Sequence, residues 1–475
     1  MANNEYGDFQ TNAELATKVV GLLGGISAEP ATIVEPTCGK GNFIAAARAS
    51  YPDAVIHGLE IQSKYVAFLE KKYQFDSKFI LHSANYFKFD WEDLFQRMTK
   101  PVWVIGNPPW VTNSQLVRLE SDNLPKKSPQ AHLTGFEAQT GKSNFDISES
   151  MIRDWFHWCH DSNGCLAVIC KTSVARKVLH WWWRKDKASP AARIYNIDAQ
   201  REFGATVSAC VLVCSFISTS ASKLCEIRTS PSAKELQSTF GLIDGHLVAD
   251  ASTYRECSYL LGKSDQKWRS GIKHDAGKVL ELVENNGRWK NKSGEEVEIE
   301  DDYVFPLLKG SDLHRDRPLN RKIIVPQSYI GQDTLRICQR SPRTWKYLSS
   351  HKDVFDARKS VIYSKGPDFS IFGIGDYTFK LWKIAIAALY KKLVFRLIGP
   401  QSGKPVIFDD TIYFLGFDKE SDAREALIHL ESAAVQDVLG SMIFWDDMRP
   451  VKTDILNRIK IPSVQANDET LETLI

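Results

Sequence analysis

No apolar run in the 475-residue chain approaches the roughly 20 residues that a membrane-spanning helix needs. The N-terminus is polar, so neither a secretion signal nor a membrane anchor is expected. None of the nine cysteines stands in a Cys-x-x-Cys pair, which removes the usual signs of a zinc or redox site, and no metal is expected. An odd cysteine count without a secretion signal points to a reducing cytoplasm as the compartment. Cys210 and Cys214 lie in apolar strands, where a free thiol packs as a small hydrophobe. The glycine turn at Gly39-Lys40-Gly41 is not followed by Gly-Lys-Ser/Thr, and neither Gly-Lys-Ser elsewhere, at 141–143 and 262–264, has a glycine five residues before it, so no P-loop is expected; no third glycine completes a dinucleotide fingerprint. There is no internal repeat, no low-complexity tract and no evident His/Asp catalytic pair. What remains is ordinary globular composition, 43% hydrophobic and 25% charged, at a length that suits two or three domains.

Asn107-Pro108-Pro109-Trp110 is the most informative segment that is present. It follows Val102-Trp103-Val104-Ile105-Gly106, an apolar run of strand length. Two successive prolines continue neither a ladder nor a helix, so the chain must leave the sheet in a fixed extended shape. The turn then offers the Asn107 amide oxygen and the Pro108 carbonyl as acceptors beside the plane of Trp110. Such a group suits a planar ring with an exocyclic amine, although the same four residues also suit a plain strand-ending turn.

The upstream segment favours the first reading. Ala31 to Phe43 reads as a strand, a glycine turn and then a helix that runs through Ile44-Ala45-Ala46-Ala47. Gly39 and Gly41 let the backbone approach a ligand at the carboxyl end of that strand, where open α/β sheets bind small molecules. A second strand, Val55 to Leu59, ends in Glu60, about 20 residues past the turn and placed to accept from ribose hydroxyls. A third, Phe79-Ile80-Leu81, leads to Asn85 and Tyr86, with Asn85 expected to read an adenine edge.

In this order the segments resemble the class I S-adenosylmethionine-dependent methyltransferases, and more narrowly the gamma-class DNA adenine-N6 methyltransferases. Gly7-Asp8-Phe9-Gln10-Thr11 is similar to that family's opening segment, and the motif resemblance spans roughly residues 7–216. Asn12 stands where proline is usual, Glu35 where aspartate is, and Trp110 where tyrosine or phenylalanine is commoner. The resemblance implies an α/β fold, a Rossmann-like doubly wound and mainly parallel sheet, followed by a mixed α+β target-recognition domain. It implies that S-adenosyl-L-methionine is held by Gln10, Thr11, Glu35, Pro36, Thr37, Gly39, Gly41, Phe43, Glu60, Ile61, Asn85 and Tyr86. Asn107, Pro108, Pro109 and Trp110 are the implied catalytic residues. Phe203, between two later strands, is implied to form with Trp110 the two faces of a base sandwich. Ser143-Asn144-Phe145-Asp146 falls where the family places part of its adenine pocket.

The formal charge of +2 hides an asymmetry. Residues 303–404 carry 19 Lys+Arg against 7 Asp+Glu, a local balance of +12 that leaves −10 elsewhere. Aromatics are interleaved there, among them Tyr329, Trp345, Tyr347, Tyr363, Phe369 and Phe372. A charge run is often only a solvated face, but a basic, aromatic block behind a catalytic domain is expected to neutralise phosphates. Arg315, Arg317, Arg321, Arg340, Arg343 and Arg358 are the candidate DNA contacts. Ser218 to Ser222 reads as a soft boundary, giving a cofactor-binding catalytic domain over 1–220 and a DNA target-recognition domain over 221–475. Residues 111–145 read as a long polar loop expected to order over the substrate. Trp181-Trp182-Trp183 reads as core or interface rather than as a ligand box.

The expected reaction transfers a methyl group to adenine N6 in a specific double-stranded DNA sequence, with the base extruded from the duplex. The expected setting is the modification arm of a restriction system, as a monomer beside a separate restriction endonuclease. With the pattern beginning at Gly7, no nuclease domain is expected upstream. Cytosine N4, RNA adenine and a protein glutamine side chain are alternative substrates, the last disfavoured by the basic region. A non-catalytic DNA-binding protein on the same scaffold is the alternative outside enzymes.

Overall fold

The computed structural model describes residues 9–25, 28–111, 146–185 and 188–462. The chain divides into two compact units, residues 1–251 and 252–475. The expected 111–145 loop, apart from Val111, lies outside the described residues, as do Ser143, Asn144 and Phe145.

The first unit is built on one sheet of ten strands. Its strands are β1 (Thr32–Glu35), β2 (Val55–Glu60), β3 (Phe79–Ser83), β4 (Val102–Gly106), β5 (Cys165–Lys171), β6 (Ser189–Ile197), β7 (Ala209–Ser220), β8 (Leu224–Arg228), β9 (Ser238–Ile243) and β10 (His246–Val248). Their spatial order is β10-β9-β8-β6-β7-β5-β4-β1-β2-β3. From β3 to β5 every neighbouring pair is parallel, while β7 runs antiparallel between β5 and β6. The continuous apolar runs of β4 and β5 follow from this, since both faces of a parallel sheet are covered. Strand β4 is buried along its whole length.

Alternation along the strands divides the core. Ile33, Ile105, Ala167 and Val211 pack in one cluster with helices α1 (Ala13–Gly21) and α2 (Asn42–Ser50). On β7, Phe216 has the opposite parity to Val211 and meets Phe156 and Trp182, which belong to the later helices Ile147–Asp161 and Thr172–Trp183. Trp182 and Trp183 are fully buried, as expected for core, and Trp181 is half-buried beneath Lys185.

The boundary between the units differs from the expected 220. Strands β8, β9 and β10 continue the first sheet, β8 pairing in parallel with β6. The polar Ser218–Ser222 stretch is therefore the paired end of β7 and the start of the short connection to β8, not a linker.

The second unit is mixed α+β. It holds a four-stranded sheet and a five-stranded sheet, antiparallel except for the pairing of Val304–Leu308 with Ile407–Phe408. Two buried clusters lie in it: one around Leu282, Ile323 and Phe369, and one in which Leu308 and Phe408 of the five-stranded sheet pack with Ala385 and Phe414 of the four-stranded sheet. Among the described residues no helix is long and apolar enough to cross a membrane, and no group of three or more His, Cys, Asp or Glu is placed to hold a metal.

Candidate active site

Strand order reverses at β1, which lies between β4 and β2. Ligands of open α/β sheets bind outside the carboxyl ends of the strands at such a switch point. A pocket opens there, lined by residues that follow or end β1, β2 and β4: Glu35 to Gly39, Leu59 to Gln62, Asn107 and Pro109. Phe9, Gln10 and Thr11 close it from the N-terminal side, and Asn42, Phe43, Tyr86 and Met151 complete it.

The glycine turn is shaped by two residues with positive φ, Gly39 at 51° and Gly41 at 71°. At Gly39 a Cβ would stand 2.7 Å from the Gln10 amide, and at Gly41 it would stand 2.6 Å from Leu69 Cδ2. Both space and backbone therefore require glycine. Gly41 caps α2 and is not part of the pocket wall, whereas Gly39 is.

Two buried acids face this turn. Glu35 Oε2 accepts from the Ile44 N–H at 3.1 Å within α2. Burial, with the nearby Glu60 adding to it, pushes the Glu35 carboxyl well above the usual range, and the Ile44 hydrogen bond opposes this. Glu60 accepts from the Gly39 N–H at 2.8 Å and the Gln62 N–H at 2.7 Å, so the acid that ends β2 also fixes the turn that ends β1. Among the described residues the lining contains these two acids and no Lys, Arg or His. Acceptors of this kind suit a positively charged nucleoside with free hydroxyls and disfavour a dinucleotide pyrophosphate. They fit the sulfonium and ammonium charges of S-adenosylmethionine.

Asn107 lies at the end of β4. Its Nδ2 donates to the Phe9 carbonyl at 3.0 Å and to Thr11 Oγ at 3.3 Å. Its Oδ1 is buried and has no hydrogen-bond partner among the described residues. A buried acceptor left open costs free energy unless a ligand supplies the donor. The carbonyl of Phe9 can only accept, which fixes the nitrogen end of the amide on that side.

Several expected positions differ from the structure. Trp110 is 6% exposed and packs into the α1–α2 core rather than beside an open surface. Trp110 and Phe203 touch edge to face, with ring centroids 5.2 Å apart at 74°, and Phe9 meets both. An open slot between them is not present, because each ring occupies the space a base would need. Asn85 does not line the pocket: its Oδ1 accepts from the Phe87 N–H at 2.9 Å and shapes its own turn. Asp146 caps the helix Ile147–Asp161 and binds Lys171 Nζ at 2.6 Å.

Gln10, Thr11, Glu35, Pro36, Thr37, Gly39, Phe43, Glu60, Ile61, Tyr86, Asn107 and Pro109 are all brought to one pocket. Cys38, Asn42, Leu59, Gln62, Phe9 and Met151 line it without having been assigned to the cofactor. Leu59 and Gln62 flank Glu60, so adjacency alone would have found them. Met151 lies in the helix Ile147–Asp161, and nothing in its spacing marks it as a pocket residue.

In the second unit Arg315 and Arg340 are exposed. Arg317 and Arg321 lie near the buried Asp312, and Arg343 near Glu300. Arg358 is not a surface group: it donates to the carbonyls of His274, Ser370 and Phe355 and stacks on Tyr363 at 3.9 Å. Tyr347, Tyr363 and Phe369 are buried, so much of the interleaved aromatic character is core, while Tyr329 and Phe372 remain exposed.

This fold and pocket define a methyltransferase that uses S-adenosylmethionine. No family model matches the chain. It is 43% identical over 463 residues to the Type II methyltransferase M.NspV of Nostoc sp., covering 96% of each protein. The chain therefore belongs to the type II methyltransferase family, the DNA methyltransferases of restriction–modification systems. Among solved structures it resembles the Type IIL restriction-modification enzyme MmeI, solved in complex with DNA, at a TM-score of 0.53 and 13% identity. That likeness covers 95% of this chain and 64% of MmeI, under two thirds of the larger protein, and it establishes the fold alone.

Proposed function

We propose that the protein methylates the exocyclic N6 of adenine within a specific sequence of double-stranded DNA. The observation that carries this reading is the Asn107 amide, held by its nitrogen and left with a buried, unpartnered Oδ1. An exocyclic adenine nitrogen is a weak nucleophile because its lone pair is delocalised into the ring. Acceptors at Asn107 Oδ1 and the Pro108 carbonyl draw on its two N–H groups and favour a pyramidal nitrogen. Preorganised polar groups of this kind stabilise the charge that develops during attack. When bound, S-adenosylmethionine supplies an electrophilic methyl group, and the reacting atoms must meet in line at roughly 3–3.5 Å.

The residues that would hold the cofactor are Glu60 toward the ribose, Gly39 at the close backbone approach, and Thr11, Glu35 and Ile61 around it. No strongly basic side chain is needed, and among the described residues the pocket lining contains none. Because the target atom cannot reach a pocket from inside a duplex, the base is extruded at a cost of a few kcal/mol. Stacking requires Trp110 and Phe203 to part from their present contact, or the base to stack on Trp110 from the Pro109 side.

The second unit serves as the target-recognition domain in this reading. Its support is the local balance of +12 over residues 303–404 together with the exposure of Arg315 and Arg340. The protein acts as a monomer, and a separate endonuclease cuts the unmethylated sequence. The test is to incubate duplex DNA with methyl-labelled S-adenosylmethionine, digest to nucleosides and chromatograph. Label in N6-methyladenine is expected. Label in N4-methylcytosine, or in RNA offered in parallel, would replace this reading.

A further inference from the structure

Four consecutive residues, Phe9 to Asn12, reach four separately encoded parts of the first unit. Gln10 Oε1 accepts from the Lys40 N–H at 3.1 Å, in the glycine turn. The Thr11 carbonyl accepts from Asn42 Nδ2 at 2.7 Å, at the start of α2. The Phe9 carbonyl and Thr11 Oγ together accept both hydrogens of Asn107 Nδ2, after β4. Asn12 Nδ2 donates to Glu202 at 2.8 Å, in the short helix that carries Phe203.

We infer that this segment is a clasp that sets the orientation of the Asn107 amide, and that Thr11 is a positioning residue for methyl transfer. The inference rests on the reading that Asn107 Oδ1 receives the target amine. A primary amide has two ends of nearly equal size and opposite hydrogen-bonding sense. Turned over, Asn107 would direct an oxygen at the Phe9 carbonyl and a donor at the incoming amine, which also donates. The Phe9 carbonyl selects the productive orientation, and Thr11 Oγ takes the second hydrogen so that the amide does not swing between the two.

The surroundings make this hold effective. Thr11 is 6% exposed, so water is poorly placed to replace its hydroxyl. Its main chain is in turn fixed through Asn42, which belongs to a helix. The clasp therefore acts on Asn107 without entering the reaction, and its loss should slow the chemical step rather than abolish it.

The experiment measures single-turnover methyl transfer by the full-length protein at saturating S-adenosylmethionine and duplex DNA, with cofactor affinity measured separately. Thr11→Val keeps the shape and removes the acceptor, and the rate is expected to fall by about three- to tenfold, the worth of one net hydrogen bond. Thr11→Ser keeps the hydroxyl and should stay within about twofold of the unaltered protein on the same scale. The inference is overturned if Thr11→Val transfers at the unaltered rate, if its defect is confined to cofactor affinity, or if Thr11→Ser is as slow as Thr11→Val. Asn107→Ala is the separate control: a near-normal rate there would overturn the amine-acceptor reading itself, whatever the Thr11 variants do.

Discussion

Asn12 and Glu202 lie 190 residues apart in the chain and 2.8 Å apart in space. The same Asn12 side chain accepts from the Leu15 N–H at 2.8 Å, capping α1. Its φ of −71° lies within the range that proline adopts, the residue that the family resemblance expects at this position. Asn12→Pro should therefore keep the backbone path while losing the cap and the tie to Glu202. Loss of a helix cap typically costs about 1 kcal/mol. A lower unfolding midpoint with methyl transfer retained is the expected result, and a variant that unfolds as late as the original would show that the cap contributes nothing.

Glu60 is engaged by the Gly39 and Gln62 backbone amides and lines the pocket. Glu60→Ala should weaken S-adenosylmethionine binding by about 1.5–3 kcal/mol, the scale of hydrogen bonds to a charged group. Glu60→Gln, which keeps one acceptor oxygen, should lose less. Titration calorimetry on the purified protein measures both, and equal affinity in all three proteins would remove Glu60 from the cofactor site.

His57 and His82 stack across β2 and β3, with Nδ1 and Nε2 at 3.1 Å. One ring must donate and the other accept, which a doubly protonated pair cannot do. Burial, followed by the charge of His82, pushes His57 down to about 4. The unfolded chain, with an ordinary imidazole value near 6.5, takes up a proton before the folded one does as pH falls. Stability conferred by this pair is thus complete above about pH 6.5 and lost as pH drops toward 4, amounting to roughly 1–3 kcal/mol. Denaturant titrations at stepped pH should show this loss, and His57→Asn should flatten it. An identical slope in the variant would assign the acid sensitivity to other groups.

Arg315 and Arg340 are exposed, whereas Arg358 is held by three backbone carbonyls. Replacing the first two by glutamine in the full chain should reduce the dependence of log affinity for DNA on log salt by about 0.9 per lost phosphate contact. A loss confined to one position of the recognition sequence would instead mark a base contact. Arg358→Ala should lower stability and leave the salt dependence of the remaining folded protein unaltered. Should Arg358→Ala change the salt slope while the exposed pair does not, the assignment of these residues is reversed.

Much of the site was legible because strand ends are marked by local chemistry. Glu35, Glu60 and Asn107 each close an apolar run, and a parallel sheet necessarily brings such ends to one edge. Side-chain packing was not legible in the same way. Nothing in the spacing of Trp110 and Phe203 tells whether they face across a gap or meet, and they meet. The strand-end position of Asn85 does not distinguish a ligand contact from service to its own turn, and here its Oδ1 accepts from the Phe87 N–H. In the basic region, aromatic frequency was visible but not its direction, so Tyr347 and Phe369 looked like surface candidates and are core. The extension of the first sheet was hidden by the polar composition of Ser218–Ser222, which reads as a linker although its first three residues end β7, and the pairing of β8 with β6 joins residues far apart in the chain.

That extension governs where the protein can be cut. A fragment ending at residue 220 would strip β8 from β6 and bare the main-chain donors and acceptors of Ala192 to Tyr195. It would also remove Phe240, which covers Trp183, and leave that indole facing solvent. An unpaired, apolar strand margin of this kind is a template for chain-to-chain aggregation. A fragment carried through residue 251 retains β8, β9 and β10 and ends on the short β10, the natural margin of the sheet. The fragment ending at residue 251 is therefore expected to self-associate less than the one ending at residue 220.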